Sequence, residues 1–246
     1  EKASKVNIAI PEGQQKLVSE LAKTGKPVIA LVMCGRPVIF NEIREHADAV
    51  LCTWWLGSEA GNAICNVLWG EYNPSAKLPM TFPAHVGQIP IYYQNKSTGR
   101  PTALQQTYKA SYIDASTEPA YPFGYGLSYT DFGYSDLKLL PGKAAGVHTE
   151  VSVKVTNTGK CAGEEVVQLY VQDKVASVTR PIKELKGFRK IHLNAGESKT
   201  VVFQITDDAL GFYDNEMNYM VEPGDFVFMV GGSSDDVQQI TYNLEE

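Results

Sequence analysis

Nowhere does this chain carry an apolar run long enough to cross a membrane as a helix: the longest, roughly residues 27–35, is well short of the ~20 residues a span needs. A surplus of basic charge is also missing. With 22 Lys and Arg against 28 Asp and Glu, a formal net charge of -6 and no Lys/Arg cluster, nothing offers counter-charge to a phosphate backbone. Neither nucleic acid nor a membrane is therefore expected among the partners. Cysteine is scarce, and the four positions, Cys34, Cys52, Cys65 and Cys161, show neither C-x-x-C spacing nor a zinc-like pairing with histidine. They read as buried free thiols, and no metal or cofactor is expected. The dinucleotide string G-x-G-x-x-G, the phosphate loop G-x-x-x-x-G-K-[ST] and the nucleophile elbow G-x-S-x-G are all absent. His46, His85, His148 and His192 stand in unrelated contexts, as surface or loop histidines do.

What is present divides into three kinds of text. The first third alternates helical stripes with short continuous apolar runs, the pattern of a parallel sheet covered by helices. Pro11 suits a first helical turn, Leu17, Val18 and Leu21 supply a stripe, and Gly25 a stop. Residues 28–33 read as a strand buried on both faces, 41–46 as a short helix and 49–55 as a second buried strand. Ser58 is placed to cap a helix that carries Ala60, Ala63, Ile64, Val67 and Leu68 on one face and ends at Gly70. A third strand is expected at 8–10. A sheet this small needs more strands, so the α/β domain is expected to begin upstream of residue 1, in a chain that opens Glu-Lys-Ala-Ser rather than with Met.

From Asn73 to about Tyr129 the text turns to Pro, Gly and Tyr, too aromatic for disorder, and reads as an ordered linker packed against its neighbours. Beyond Phe132 the apolar period becomes two: Val151, Val153, Val155; Val167, Leu169, Val171; Val201, Phe203, Ile205; Phe226, Phe228, Val230. About seven such strands, with turn chemistry at 157–159, 194–196 and 223–224, predict an immunoglobulin-like sandwich. The expected fold class is thus α/β plus all-β: a partial α/β sandwich over 1–88, a Pro/Tyr-rich linker over 89–130 and a fibronectin type III-like β-sandwich over 131–246.

Ligands of open α/β sheets collect at the carboxyl ends of strands, which here present Gly35-Arg36 and Trp54-Trp55. Indole faces and a guanidinium fork suit a sugar, so Arg36, Trp54 and Trp55 are candidate substrate-binding residues. The structural alternatives are core or interface packing for the indoles and a buried ion pair for Arg36.

Several strings occur in a telling order: Gly25-Lys26-Pro27, Gly35-Arg36-Pro37, Gly61-Asn62-Ala63-Ile64, Asn73-Pro74-Ser75-Ala76-Lys77-Leu78-Pro79, Thr81-Phe82-Pro83, Gly87-Gln88-Ile89-Pro90, Thr98-Gly99-Arg100-Pro101 and Tyr121-Pro122-Phe123-Gly124-Tyr125-Gly126-Leu127-Ser128-Tyr129. Further along come Val155-Thr156-Asn157-Thr158-Gly159, Arg180-Pro181, Glu184-Leu185-Lys186-Gly187-Phe188 and Pro223-Gly224. Together they resemble family 3 glycoside hydrolases, bacterial periplasmic or secreted β-glucosidases in particular, over nearly the whole chain. Ala76 and Lys5 depart from the family's usual glycine and arginine.

The resemblance implies a retaining two-carboxylate mechanism, with an aspartate nucleophile in an N-terminal (β/α)8 barrel and a glutamate acid/base in the α/β domain. Glu1, ahead of Ala3-Ser4-Lys5 and Ile10-Pro11, matches the place of that glutamate; its alternative is a frayed terminal side chain. The implied partners are the barrel of the same protein and a β-linked oligosaccharide or glycoside, and the sandwich would stabilise the α/β domain and mediate a homodimer. A rival reading from another class is a non-catalytic carbohydrate-binding or structural module.

Overall fold

The computed structural model describes residues 5–97 and 112–245. Two compact units emerge, and they interleave along the chain: the first draws on 5–72, 80–91 and 112–121, the second on 73–79, 92–97 and 122–245.

In the first unit α1 (Glu12–Ala22) follows Pro11 and is released by Gly25 at φ 71°. Then come β1 (Ile29–Val32), α2 (Asn41–His46), β2 (Ala49–Cys52) and α3 (Ala60–Leu68). β1 and β2 pair in parallel, Ile29 opposite Ala49 and Val32 opposite Cys52. Four expectations need correction. The second strand, expected buried over 49–55, ends at Cys52, with Ala49 exposed and Val50, Leu51 and Cys52 half-buried. β1 is not buried on both faces: Ala30, Val32 and Cys34 are buried, whereas Ile29, Leu31 and Met33 are 53%, 41% and 65% exposed, because no layer among the described residues covers that face. The strand at 8–10 is a single parallel bridge, Ala9 to Ile39. Finally, α3 has Glu59 rather than Ser58 at its N-cap, without a side-chain cap.

What closes this unit is a set of interior contacts from its later segments. Phe82 is 1% exposed and meets Phe40, Trp54 and Tyr121 edge-on at centroid distances of 6.2, 5.8 and 6.5 Å. Gln88, also buried, spends its whole amide: Oε1 accepts from the backbone N–H of Ala84 and His85, and Nε2 donates to the carbonyls of Ser116 and Glu118. A buried primary amide is tolerated only when so satisfied.

The second unit is the expected sandwich. Its strands are β3 (Phe132–Pro141), β4 (Val147–Asn157), β5 (Gly163–Asp173), β6 (Glu184–Leu193), β7 (Ser198–Thr206), then a one-turn α4 (Asp207–Leu210), the short pair β8 (Phe212–Tyr213) and β9 (Tyr219–Met220), and β10 (Gly224–Gly231) and β11 (Val237–Leu244). They form sheets ordered β3-β4-β7 and β11-β10-β5-β6, antiparallel throughout. The four period-two sets read from the sequence are all buried between them, with Val151, Val153, Val155, Val167 and Phe228 at 0% exposure.

The outer face of the second sheet is covered too. Tyr170, Val227 and Met229 are buried there against Tyr93 and Phe123, whose rings stack at 4.4 Å. Segments 73–79 and 122–129 lie side by side: Gly124 N–H donates to Leu78 O, Leu78 N–H to Tyr125 O, and Lys77 Nζ to Gly126 O. Lys77 also reaches Glu165 at 3.0 Å, and Glu165 accepts from Tyr134 Oη at 2.8 Å, so a largely desolvated lysine is paired with a carboxylate.

One glycine here is dictated by geometry. Gly124 sits at φ 79°, and a Cβ on it would lie 2.1 Å from Gln168 Oε1, in a side chain held by Gly124 O, Gly232 O and Tyr170 Oη. Gly124→Ala is therefore expected to destabilise this unit by about 2–4 kcal/mol through left-handed strain and a clash that the anchored amide cannot relieve. A denaturant midpoint within error of wild type would show that Gln168 moves freely.

Candidate functional site

The carboxyl ends of β1 and β2 bring several of the singled-out residues together. Just past β1, Gly35 lies under the indole of Trp55: a Cβ at Gly35 would stand 3.4 Å from Trp55 Nε1 and Cε2. The absence of a side chain lets the ring lie close over the backbone. Trp55 remains 77% exposed, an aromatic face open to a ligand.

Trp54 behaves differently from its neighbour. Its φ of 55° breaks the extended path after β2, and its ring turns inward onto Phe82. For this residue the packing alternative describes what is seen, whereas Trp55 is presented outward. Arg36 is exposed and donates from Nη2 to the backbone carbonyl of Lys5. That carbonyl contact, not a buried ion pair, is where the described structure engages it, and it links the segment after residue 4 to the β1 end. Nothing in the sequence marked Lys5 O, since a backbone acceptor has no residue signature. Glu1, the candidate acid/base, lies outside the described residues.

Beneath this surface Cys34 and Cys52 approach, with their sulfurs 3.9 Å apart. Burial, reinforced by Cys34, pushes the Cys52 thiol up to about 12. Thr53 is buried beside them, its N–H donating to Val32 O at 3.0 Å.

The sandwich carries a separate pocket of about 600 Å³ lined by Lys96, Thr179, Arg180, Phe212, Tyr213 and Asn215 among others. Its guanidinium is already engaged: Arg180 pairs with Glu184 at 2.6 Å and Asp173 at 3.4 Å, donates to Leu210 O and lies 4.8 Å from the centre of the Phe212 ring. Among the described residues no group of three or more His, Cys, Asp or Glu is placed to hold a metal ion.

Comparison with known proteins identifies the two domains. The glycosyl hydrolase family 3 C-terminal domain model matches residues 1–129, and the fibronectin type III-like domain model matches 165–234. The periplasmic β-glucosidase of Salmonella typhimurium is 48% identical over 247 residues, a match covering 99% of this chain and 32% of that protein. A β-xylosidase of Formosa agariphila is 45% identical over 94% of this chain and 32% of its own length. Among solved structures, the β-glucosidase of Listeria innocua in complex with glucose superposes with a TM-score of 0.92 at 41% identity, over 99% of this chain and 34% of that one. The chain thus spans about a third of the length of the relatives it matches. It belongs to glycosyl hydrolase family 3, of which it is a C-terminal portion: an α/β domain followed by a fibronectin type III-like sandwich.

Proposed function

We propose that the chain is the C-terminal part of an exo-acting, retaining β-glycosidase that removes terminal non-reducing β-D-glucosyl residues in the periplasm or outside the cell. The observation that carries this reading is the meeting of Trp55 and Gly35 at the carboxyl ends of β1 and β2, beside Arg36, in a chain 48% identical to a periplasmic β-glucosidase. The glucoside is favoured over the xyloside because the Salmonella and Listeria relatives are β-glucosidases, while a β-xylosidase is nearly as similar to the chain.

In the proposed mechanism, an aspartate of an N-terminal barrel attacks the anomeric carbon and Glu1 gives its proton to the departing oxygen. Glu1 then takes a proton from the water that hydrolyses the glycosyl–enzyme. Two carboxyls about 5–5.5 Å apart serve these roles in retaining enzymes. Trp55 presents an apolar face to the sugar ring, Arg36 donates to hydroxyls, and Trp54 supports the loop from below.

Because the nucleophile belongs to the barrel in this scheme, the chain by itself is expected to be inactive while the full-length parent turns over aryl β-glucosides. The test is a side-by-side assay of the two at equal molar concentration. Clear turnover by the pure chain would place both carboxylates within these 246 residues and overturn the division of labour.

A further inference from the structure

Cys34 lies two residues past the end of β1 and Cys52 is the last residue of β2, so the two thiols sit side by side where the parallel pair opens into its loops. Their sulfurs are 3.9 Å apart, Cys34 is 8% exposed and Cys52 half-buried. Cys65 and Cys161, expected to be buried, are both exposed. A disulfide requires the sulfurs to close to about 2 Å, which rotation about the Cα–Cβ bonds can bring about for sulfurs already in contact, and Cβ atoms about 3.5–4.5 Å apart, a spacing that the backbone of the two strand ends sets.

We propose that Cys34 and Cys52 form an oxidation site, closing to an intrachain disulfide across the carboxyl ends of β1 and β2 by exchange with a small disulfide oxidant. One thiolate attacks a sulfur of the oxidant, RS–SR, and the first RS⁻ departs. The second thiolate attacks the protein sulfur of the mixed disulfide, and the second RS⁻ departs. Both cysteine protons end on solvent or on the two released thiols; the cysteine pair loses two electrons, and one S–S bond is exchanged for another.

Closure would join the Gly35-Arg36 turn covalently to the strand that leads into Trp54-Trp55, and so hold the aromatic face of Trp55 over Gly35 in one arrangement. The inference stands on the thiol geometry alone and is independent of the sugar-binding reading. Chemistry also predicts how the bond behaves once made. Desolvation disfavours the Cys52 thiolate, which makes it a poorer leaving group than an exposed thiol when the bond is opened by attack at the Cys34 sulfur.

The test uses the chain with its exposed thiols removed, Cys65→Ser with Cys161→Ser, treated with 4,4'-dithiodipyridine at mildly alkaline pH. Two thiopyridones per chain are expected to be released while the intact mass falls by two hydrogens, and peptide mapping should join Cys34 to Cys52. Excess dithiothreitol should restore both thiols. A mass raised by thiopyridyl groups on either sulfur, two thiols still titrating in denaturant, or a covalent dimer on a non-reducing gel would each overturn the proposal. Adding Cys34→Ser to this background should abolish the mass loss and leave Cys52 free or singly labelled. The same mapping on the wild-type chain checks that the substitutions did not create the bond.

Discussion

Glu1→Gln in the full-length parent is expected to lower kcat/KM for glycosides with poor leaving groups by about 10²–10⁴-fold, the usual contribution of a positioned proton donor. Activated aryl glucosides, whose leaving group departs without a proton, should lose little in the same parameter. Glutamine keeps the shape of the side chain and removes its proton, so a merely positional role would affect both substrate classes alike. The second half-reaction supplies an independent readout. Without a general base the glycosyl–enzyme is hydrolysed slowly and should accumulate, and a small anion such as azide, which needs no deprotonation, should discharge it with retained configuration. Unchanged rates on both substrate classes would place the acid/base elsewhere and leave Glu1 a terminal bystander.

Much of the sandwich was legible because its signal is local. Alternation at 151–155, 167–171, 201–205 and 226–230 follows from the pleat, and each inward set is buried. Local text could not show that β10 is buried on both faces, since Val227 and Met229 are covered by Tyr93 and Phe123 from more than a hundred residues upstream. The reverse happened in β1, where a continuous apolar run promised two covered faces and the described structure covers one.

The ordered strings named the family without showing what they hold. In the structure they are mostly mutual supports: Asn73 Oδ1 accepts from Ser128 Oγ and Tyr129 N–H, tying one string to another, and Gln88 spends its amide on the backbone of two separate segments. At the site, strand periodicity ran out at Cys52, so the positive φ that turns Trp54 inward and leaves Trp55 outward had no cue in two adjacent identical residues.

Arg180-Pro181 and Glu184-Leu185 belong to the same class of support, and they carry the largest expected stability effect. The Arg180 side chain is 8% exposed and its partner Asp173 4%. Arg180→Met keeps most of the volume, leaves Asp173 with the Val175 N–H, and strips Leu210 O of a donor. Glu184 retains Lys186 at 3.6 Å, so the orphaned charge is that of Asp173. Breaking a buried pair in this way costs about 3–5 kcal/mol, which should appear as a much lower urea midpoint at neutral pH. Acid should narrow the gap. Burial already holds the Asp173 carboxyl above its ordinary range, with Arg180 as the leading opposing influence, and removing the guanidinium raises it further. A carboxyl whose folded-state pKa is raised binds its proton more tightly in the folded chain, so it stabilises below the unfolded pKa and that contribution is lost as pH rises through the folded pKa. The variant should therefore recover part of its deficit as pH falls from about 7 toward about 4. Adding Asp173→Asn to Arg180→Met should restore part of the loss at pH 7 by removing the unpaired charge. A deficit below about 1 kcal/mol, indifferent to pH, would mean that water reaches the pair and that it behaves as a surface salt bridge.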